Sequence, residues 1–285
     1  MTDVQPREPL ALPEVGEMKR AGTKIVMVTA YDHPSARLAS EAGIDLLLVG
    51  DSAGNNVLGY ETTVPVSMDE AVMLTAAVAR ARPRALIIGD MPFGSFQASD
   101  EEAVVNAVRL VKVGADAVKL EGAGPMVSRV RAIVGAGIPV MGHLGLTPQS
   151  ATMLGGMKAQ GRTAANARRM LADARELETA GCFSLVLEAV PARVAARITE
   201  ALRSATIGIG AGSGCDGQVL VWHDLLGLNT GAAPRFVKRY ADLAGETRRG
   251  LEAFAAEVRS GAYPADEHAY KISEEELRAF EADPG

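Results

Sequence analysis

Four acidic residues stand at the ends of short apolar segments in this sequence. They are Asp51, Asp90, Glu121 and Glu188. Carboxylates that meet in one place repel each other unless a positive charge lies among them, and one lysine does not balance four. A divalent cation would balance them, and carboxylates with water suit Mg²⁺. These residue types together predict a magnesium site, although any one acid taken alone fits a helix cap or a surface ion pair.

A lysine and a histidine accompany these acids. Lys119 lies two residues before Glu121, so both side chains point to the same side of a strand. A lysine inside a barrel is costly unless it is paired, which predicts binding of a substrate carboxylate or a Schiff base. The alternative is an outward lysine between helices. His143 also ends an apolar segment, and it fits a ligand, an acid–base group or a hydrogen-bonded core histidine, with a core or supporting role as the favoured interpretation.

These side chains need a scaffold that brings strand ends together. Eight short apolar segments recur, mostly with helical stretches between them, and several are apolar on both faces, as in a parallel sheet covered by helices. The predicted strands are residues 25–30, 45–50, 85–90, 117–121, 139–143, 184–188, 206–210 and 218–223. Their number favours a closed (β/α)8 TIM barrel, of class α/β, over a doubly wound sheet. In such barrels the active site lies at the carboxyl ends of the strands.

Helix start signals follow several of these strands. They are Ser67 with Glu70, Ser99 with Glu102, and Thr163, which predict helices over residues 71–80, 103–113 and 164–180. Residues 16–20 are expected to form a helix that closes the bottom of the barrel, and residues 273–280 an extra helix after it. We expect one domain over residues 1–285, with residues 261–285 as a C-terminal extension.

Residues 208–214 form a glycine-rich stretch after the seventh predicted strand. Barrels often bind phosphate in such a loop. The spacing also admits a GxGxxG pattern, but no helix clearly opens at its end, so that signal is weak. A tight turn in which the backbone passes close to another group explains the glycines equally well, and the sequence leaves these interpretations open.

Composition limits the classes of partner. The chain has 285 residues, and acidic residues outnumber basic ones by 35 to 29, which argues against a nucleic-acid backbone as the main partner. Two cysteines, Cys182 and Cys215, show no metal-ligand spacing and are expected to be reduced thiols. Neither a signal-like start nor a run of roughly 18 apolar residues is present, so we expect a cytoplasmic protein without a membrane partner.

Nine segments carry a resemblance to a known family. They are MVTAYD (27–32), LLLVGDS (46–52), LGYETTVPV (58–66), GDMPFGSFQ (89–97), GADAVKLEG (114–122), GIPVMGHLGLTPQS (137–150), LVLEAVP (185–191), IGIGAG (207–212) and CDGQVLVWHDLLGL (215–228). Together, and in one register, they resemble the 3-methyl-2-oxobutanoate hydroxymethyltransferases, also called ketopantoate hydroxymethyltransferases. Several of these motifs are ordinary alone, but the whole set is highly specific.

The resemblance implies a (β/α)8 barrel that uses Mg²⁺ and forms a homo-oligomer, commonly a homodecamer. It implies transfer of a hydroxymethyl group from 5,10-methylenetetrahydrofolate to 3-methyl-2-oxobutanoate, giving 2-dehydropantoate for pantothenate and coenzyme A synthesis by magnesium-stabilised enolate chemistry. By matching motifs, it implies these roles: Asp51 and Asp90 bind metal and substrate, Ser52 and Lys119 bind substrate, Glu121 belongs to the metal site, and Glu188 is the catalytic base.

Two alternatives stand beside this function. A magnesium-dependent carbon–carbon lyase of the phosphoenolpyruvate mutase and isocitrate lyase group would use a similar barrel, but its cysteine-containing KKCGH-like loop is absent. The other alternative is a non-catalytic barrel, which the complete set of acids and Lys119 argues against. The sequence departs from the family pattern at Ala53, Asn55 and Met157, which flank the predicted site.

Overall fold

A closed barrel of eight parallel strands forms the centre of the computed structural model, which describes residues 9–231 and 233–282. The strands are β1 (Ile25–Thr29), β2 (Leu46–Val49), β3 (Leu86–Asp90), β4 (Ala117–Glu121), β5 (Val140–Gly145), β6 (Cys182–Glu188), β7 (Ala205–Ile209) and β8 (Gly217–Leu220). Each strand pairs with the next in sequence, and β8 pairs with β1. The predicted (β/α)8 fold is confirmed.

Eleven helices lie along the chain of this barrel in the described residues, and they include those predicted over residues 71–80, 103–113 and 164–180. They are α1 (Leu12–Ala21), α2 (His33–Glu41), α3 (Ala53–Asn56), α4 (Met68–Arg80), α5 (Asp100–Lys112), α6 (Met126–Gly135), α7 (Ala164–Thr179), α8 (Ala192–Ala201), α9 (Trp222–Leu225), α10 (Leu243–Ser260) and α11 (Glu274–Ala282). The three predicted helix N-caps are present in the structure. Ser67, Ser99 and Thr163 each accept the backbone N–H three residues on, at the start of α4, α5 and α7.

One predicted strand boundary is wrong. The eighth strand ends at Leu220, so His223 lies in the short helix α9 and not in the sheet. The backbone N–H of Trp222 donates to the side-chain oxygen of Thr29, at 2.9 Å, and the N–H of Leu225 bonds back to Val221. The N–H of Trp222 therefore bonds to a side chain of β1 and not to its backbone. The pairing of β8 with β1 ends here, and the chain continues as the helix α9.

The bottom of the barrel is closed by α1, as predicted, although this helix begins earlier than residue 16. Pro13 stands in its first turn, where a missing N–H costs nothing. Val15 and Met18 are buried against the interior side chains of the strands, among them Ile25 and Met27. The interior below the site is thus a packed apolar core.

One side of the barrel wall lacks a helical cover. Val26, on β1, is 47% exposed, and none of the side chains of α10 is buried, although this is the long helix that follows β8. The extra helix α11 is present where residues 273–280 were predicted to form one, and it too buries no side chain. Residues 1–8 and 283–285 of the predicted single domain lie outside the described residues.

None of the helices within the described ranges combines the length and the apolar character that a membrane span requires. Both cysteines are free and buried.

Candidate active site

Every residue that the sequence predicted for the site reaches one cavity of about 280 Å³ at the carboxyl ends of the strands. Its lining includes Asp51, Ser52, Asp90, Lys119, Glu121, His143 and Glu188. The convergence follows from the parallel barrel, because all strands end at the same mouth. The sequence therefore placed these side chains correctly, although their individual roles stay predictions.

An ion pair inside the barrel links β3 and β4. Lys119 Nζ lies 2.7 Å from Asp90 Oδ1 and 3.8 Å from Glu121 Oε1, and these side chains are almost fully buried. The predicted interior position of Lys119 is thus correct. Burial opposes the charge of this lysine, but the neighbouring carboxylates outweigh it and raise the pKa of Lys119. The amine stays a cation, which suits binding of a carboxylate rather than nucleophilic attack.

Asp51 follows β2 and joins the same cluster. Its backbone N–H donates to Asp90 Oδ2 at 3.1 Å, and its Oδ2 accepts from Gln149 Nε2 at 2.9 Å. Burial raises the pKa of Asp51 to about 7, and the charge of Asp90 adds to this effect while Lys119 opposes it. One lysine therefore does not neutralise the cluster.

His143 connects the acidic cluster to the predicted base. Its Nδ1 lies 3.2 Å from Glu121 Oε1, and its Nε2 lies 3.3 Å from Glu188 Oε2. Burial works against a charge on the ring, but the carboxylate of Glu121, helped by that of Glu188, raises the pKa of His143 to about 9. The ring thus lies between the two carboxylates, and its role in the site stays a prediction.

Backbone geometry fixes the end of β6 that carries Glu188. Gly145, with φ +99°, lies beside Glu188 in the sheet, and a Cβ built there would overlap the Glu188 carbonyl oxygen. Leu146 donates its N–H to that oxygen at 2.8 Å. Ala189 then adopts φ +49°, an uncommon conformation for a residue other than glycine, which is typical of functional sites.

Ser52 and several apolar side chains also line the cavity. The hydroxyl of Ser52 lies 2.9 Å from that of Tyr31. Ile209, Val221 and Phe236 form part of the lining. Two of the departures from the family pattern, Asn55 and Met157, also line it.

The glycine-rich stretch 208–214 forms a tight turn, one of the interpretations that the sequence left open. Gly210 has φ +62°, and a Cβ there would lie 2.7 Å from the ring of Phe236. Gly212 has φ +77° and lies against Ala192. Glycine is required here because the backbone passes close to these two side chains.

The acids of the cavity are possible ligands for magnesium. Within residues 9–231 and 233–282, no group of three or more His, Cys, Asp or Glu side chains is arranged so that it could coordinate a metal ion by itself. Mg²⁺ nevertheless tends to use one or two carboxylates and to keep water or substrate as its other ligands. Asp51, Asp90 and Glu121 offer carboxylate oxygens in a buried cluster with unbalanced negative charge. The chemistry of these three residues is compatible with Mg²⁺.

Comparison with known proteins identifies the relationship. A family model described as ketopantoate hydroxymethyltransferase matches residues 10–266. The chain belongs to the ketopantoate hydroxymethyltransferase family. Two relatives of this family are named 3-methyl-2-oxobutanoate hydroxymethyltransferase. The one from Moorella thermoacetica is 58% identical, covering 93% of this chain and 99% of the relative. The one from Thermotoga neapolitana is 56% identical, covering 87% of this chain and 92% of the relative.

Solved structures show the same barrel at low sequence identity. A phosphonopyruvate hydrolase matches with a TM-score of 0.60 at 13% identity, over 98% of this chain and 99% of that chain. A 2,3-dimethylmalate lyase of the phosphoenolpyruvate mutase and isocitrate lyase superfamily matches with a TM-score of 0.57 at 14% identity, over 96% and 99%. These likenesses concern the fold alone. Membership of the ketopantoate hydroxymethyltransferase family makes the chain a transferase. It supports neither the carbon–carbon lyase nor the non-catalytic barrel that stood as alternatives.

Gln149 is the site residue that sequence reasoning missed. It lies within the quoted segment 137–150, but it follows a strand end by four residues and carries no charge. Only the fold shows that this loop turns back over the acidic cluster. Phe236 was missed as well, because it lies outside every predicted strand and helix.

Proposed function

We propose that this chain transfers a hydroxymethyl group from 5,10-methylenetetrahydrofolate to 3-methyl-2-oxobutanoate, giving 2-dehydropantoate in pantothenate synthesis, with Mg²⁺ as the metal. The observation that carries the proposal is one cavity that holds a buried cluster of acids around Lys119 and, across His143, the separate carboxylate of Glu188. Family membership supports the same reaction.

The acidic cluster would hold the metal and one end of the substrate. Mg²⁺ on Asp51 and Asp90, with Glu121 directly or through water, would supply Lewis-acid stabilisation of negative charge on the 2-oxo acid. Lys119 provides the fixed positive charge for the substrate carboxylate, and its burial strengthens that attraction. Ser52, held by Tyr31, offers a hydroxyl to the same substrate.

Glu188 would act as the base. It lines the cavity and is less buried than the cluster, with 16% of its side chain exposed. As a carboxylate it can accept the C3 proton of the 2-oxo acid, which turns C3 into a nucleophile toward the methylene carbon of the folate. Water supplies the hydroxyl oxygen of the product, and tetrahydrofolate leaves. His143 keeps the carboxylate oriented through the contact at 3.3 Å.

Proton exchange without folate tests these roles. The wild-type protein with Mg²⁺ is expected to exchange the C3 proton of 3-methyl-2-oxobutanoate with D2O, and chelation of the metal should stop the exchange. Glu188→Gln should slow it at least about 100-fold, the usual contribution of a general base. Glu200→Gln, on the exposed face of α8, is the matched control and should exchange normally. Full exchange by Glu188→Gln would show that the assigned base is wrong.

We also propose that the chain forms a homo-oligomer in the cytoplasm. The resemblance implied a homodecamer, and two exposed apolar surfaces support self-association. These are the face of α10 that carries Leu251 and Val258, and the bare wall at Val26. An apolar stripe at helical spacing on a surface helix normally packs against another surface.

A further inference from the structure

Gln149 contacts three neighbouring strand ends at once. Its backbone N–H donates to Glu121 Oε2 at 3.1 Å, at the end of β4. Its side-chain Nε2 donates to Asp51 Oδ2 at 2.9 Å, after β2, and to the carbonyl oxygen of Met91 at 3.0 Å, after β3. One residue from the loop after β5 therefore ties together the parts of the site that three strands supply.

The amide is held in one orientation. Nε2 carries two hydrogens, and the two acceptors use both of them. Met91 is itself fixed, because its N–H donates to the Lys119 carbonyl oxygen at 2.9 Å within the barrel. Gln149 lies in the 3-10 turn Pro148–Ser150, whose proline restricts the backbone, and it is only 6% exposed. The position of Asp51 Oδ2 is thus set relative to the barrel backbone.

The contact from Gln149 leaves the second carboxylate oxygen of Asp51 available. Among the described residues, Asp51 Oδ1 takes part in no hydrogen bond, while Oδ2 is occupied by Gln149. Pro148 lines the cavity, whereas Gln149 lies behind the carboxylates that do. Gln149 orients Asp51 with its side chain and Glu121 with its backbone N–H, and because it is neutral it does not cancel their negative charge. A lysine or arginine in its place would cancel part of that charge.

We infer that Gln149 is a positioning residue that holds Asp51 and Glu121 in the arrangement that binds the metal. This inference rests on the proposed magnesium site. Groups that orient metal ligands commonly contribute about 10- to 100-fold to metal affinity. Gln149 therefore acts through the two acids: its backbone N–H holds Glu121, and its side-chain amide holds Asp51, which loses this fixed orientation when the amide is removed.

Two variants separate hydrogen bonding from packing. Gln149→Met keeps nearly the same volume but has no donor, and Gln149→Ala also removes the volume. Both retain the backbone N–H that reaches Glu121. Gln160→Ala is the matched control, because this glutamine lies in the same long loop and its Nε2 donates only to the carbonyl oxygen of Lys158, at 3.0 Å.

The primary measurement is Mn²⁺ binding, followed by the electron paramagnetic resonance signal of the free ion, with Mg²⁺ as competitor. We expect Gln149→Met to bind Mn²⁺ about 10- to 100-fold more weakly than wild type, and Gln160→Ala to match wild type. In the D2O exchange assay, Gln149→Met should need more Mg²⁺ for half-maximal rate and should approach the wild-type rate at saturation.

The outcomes separate this inference from the proposed metal. If wild type binds Mn²⁺ and Gln149→Met binds it within about twofold, the positioning role is wrong while the metal site stands. Equal losses in Gln149→Met and Gln160→Ala would also overturn it, because the effect would belong to the whole loop. If wild type binds neither ion, the metal proposal fails and the role of Gln149 fails with it.

Discussion

Asp51 combines full burial with a surplus of neighbouring negative charge. Its pKa is raised to about 7 by burial and by Asp90, although Lys119 lies in the same cluster. A metal ion and a proton compete for such a carboxylate, since the metal binds the ionised form. The ionisation of Asp51, together with that of Asp90, whose pKa burial also raises, therefore contributes to how the site responds to pH.

Magnesium affinity is expected to rise with pH through about 7. Below that pH Asp51 is protonated in the metal-free protein, so each lower unit should weaken binding by about tenfold, and binding should release about one proton. Above it, affinity should level off. Titration calorimetry in two buffers of different ionisation enthalpy measures both quantities. In Asp51→Asn the slope should disappear along with much of the affinity. A wild-type affinity that is constant from pH 6 to 8 would contradict the role of Asp51.

Individual residues were predictable where spacing and charge type were enough. The alternation of strand residues placed Lys119 and Glu121 on one side, and the barrel rule placed all four acids at one mouth. The contacts of His143 with both Glu121 and Glu188 were not predictable, because they depend on the register between β4, β5 and β6. Gln149 has no charge and follows no strand directly, so its sequence position carried no signal.

At the scale of elements, the pairing of β5 with β6 positions the base. Gly145 and Glu188 are partners at the upper end of these two strands, and the glycine leaves room for the Glu188 carbonyl. The strands themselves were predicted from short apolar segments. The end of β8 was not predicted correctly, because it depends on a hydrogen bond from Trp222 to the side chain of Thr29, which is distant in the sequence.

Gly145→Ala is expected to reduce the free energy of unfolding by about 3 kcal/mol, since the new methyl group overlaps a backbone oxygen and φ is positive. Gly137→Ala is the matched control. Gly137 also has positive φ, at +84°, but a methyl group there meets no atom within 4 Å, so it should cost only about 1 kcal/mol. Urea denaturation measures both losses. Equal losses would show that the close approach at Glu188 does not matter.

For the whole molecule, the unpaired apolar surfaces point to self-association. Leu251 and Val258 lie seven residues apart on α10, which places them on the same face, and both are exposed. No helix was predicted from the sequence for the residues of α10, and an oligomer was expected only from the family resemblance. The structure adds the surfaces that an assembly would bury.

Leu251→Asp with Val258→Asp is expected to convert the proposed homo-oligomer to smaller species, because charges buried in an interface oppose association. Sedimentation velocity measures the change. Val105→Asp, on the outer face of α5, introduces the same kind of charge at an exposed apolar residue and should leave the assembly intact. If the α10 variant sediments like wild type, this helix is not part of the interface.

The most direct test of the account is the formation of 2-dehydropantoate from 3-methyl-2-oxobutanoate and 5,10-methylenetetrahydrofolate by the purified chain. We predict product with Mg²⁺, none after chelation, and recovery when Mg²⁺ is returned. The tetrahydrofolate released should equal the product formed. Folded protein that binds Mg²⁺ and both substrates but makes no 2-dehydropantoate would contradict the proposed reaction.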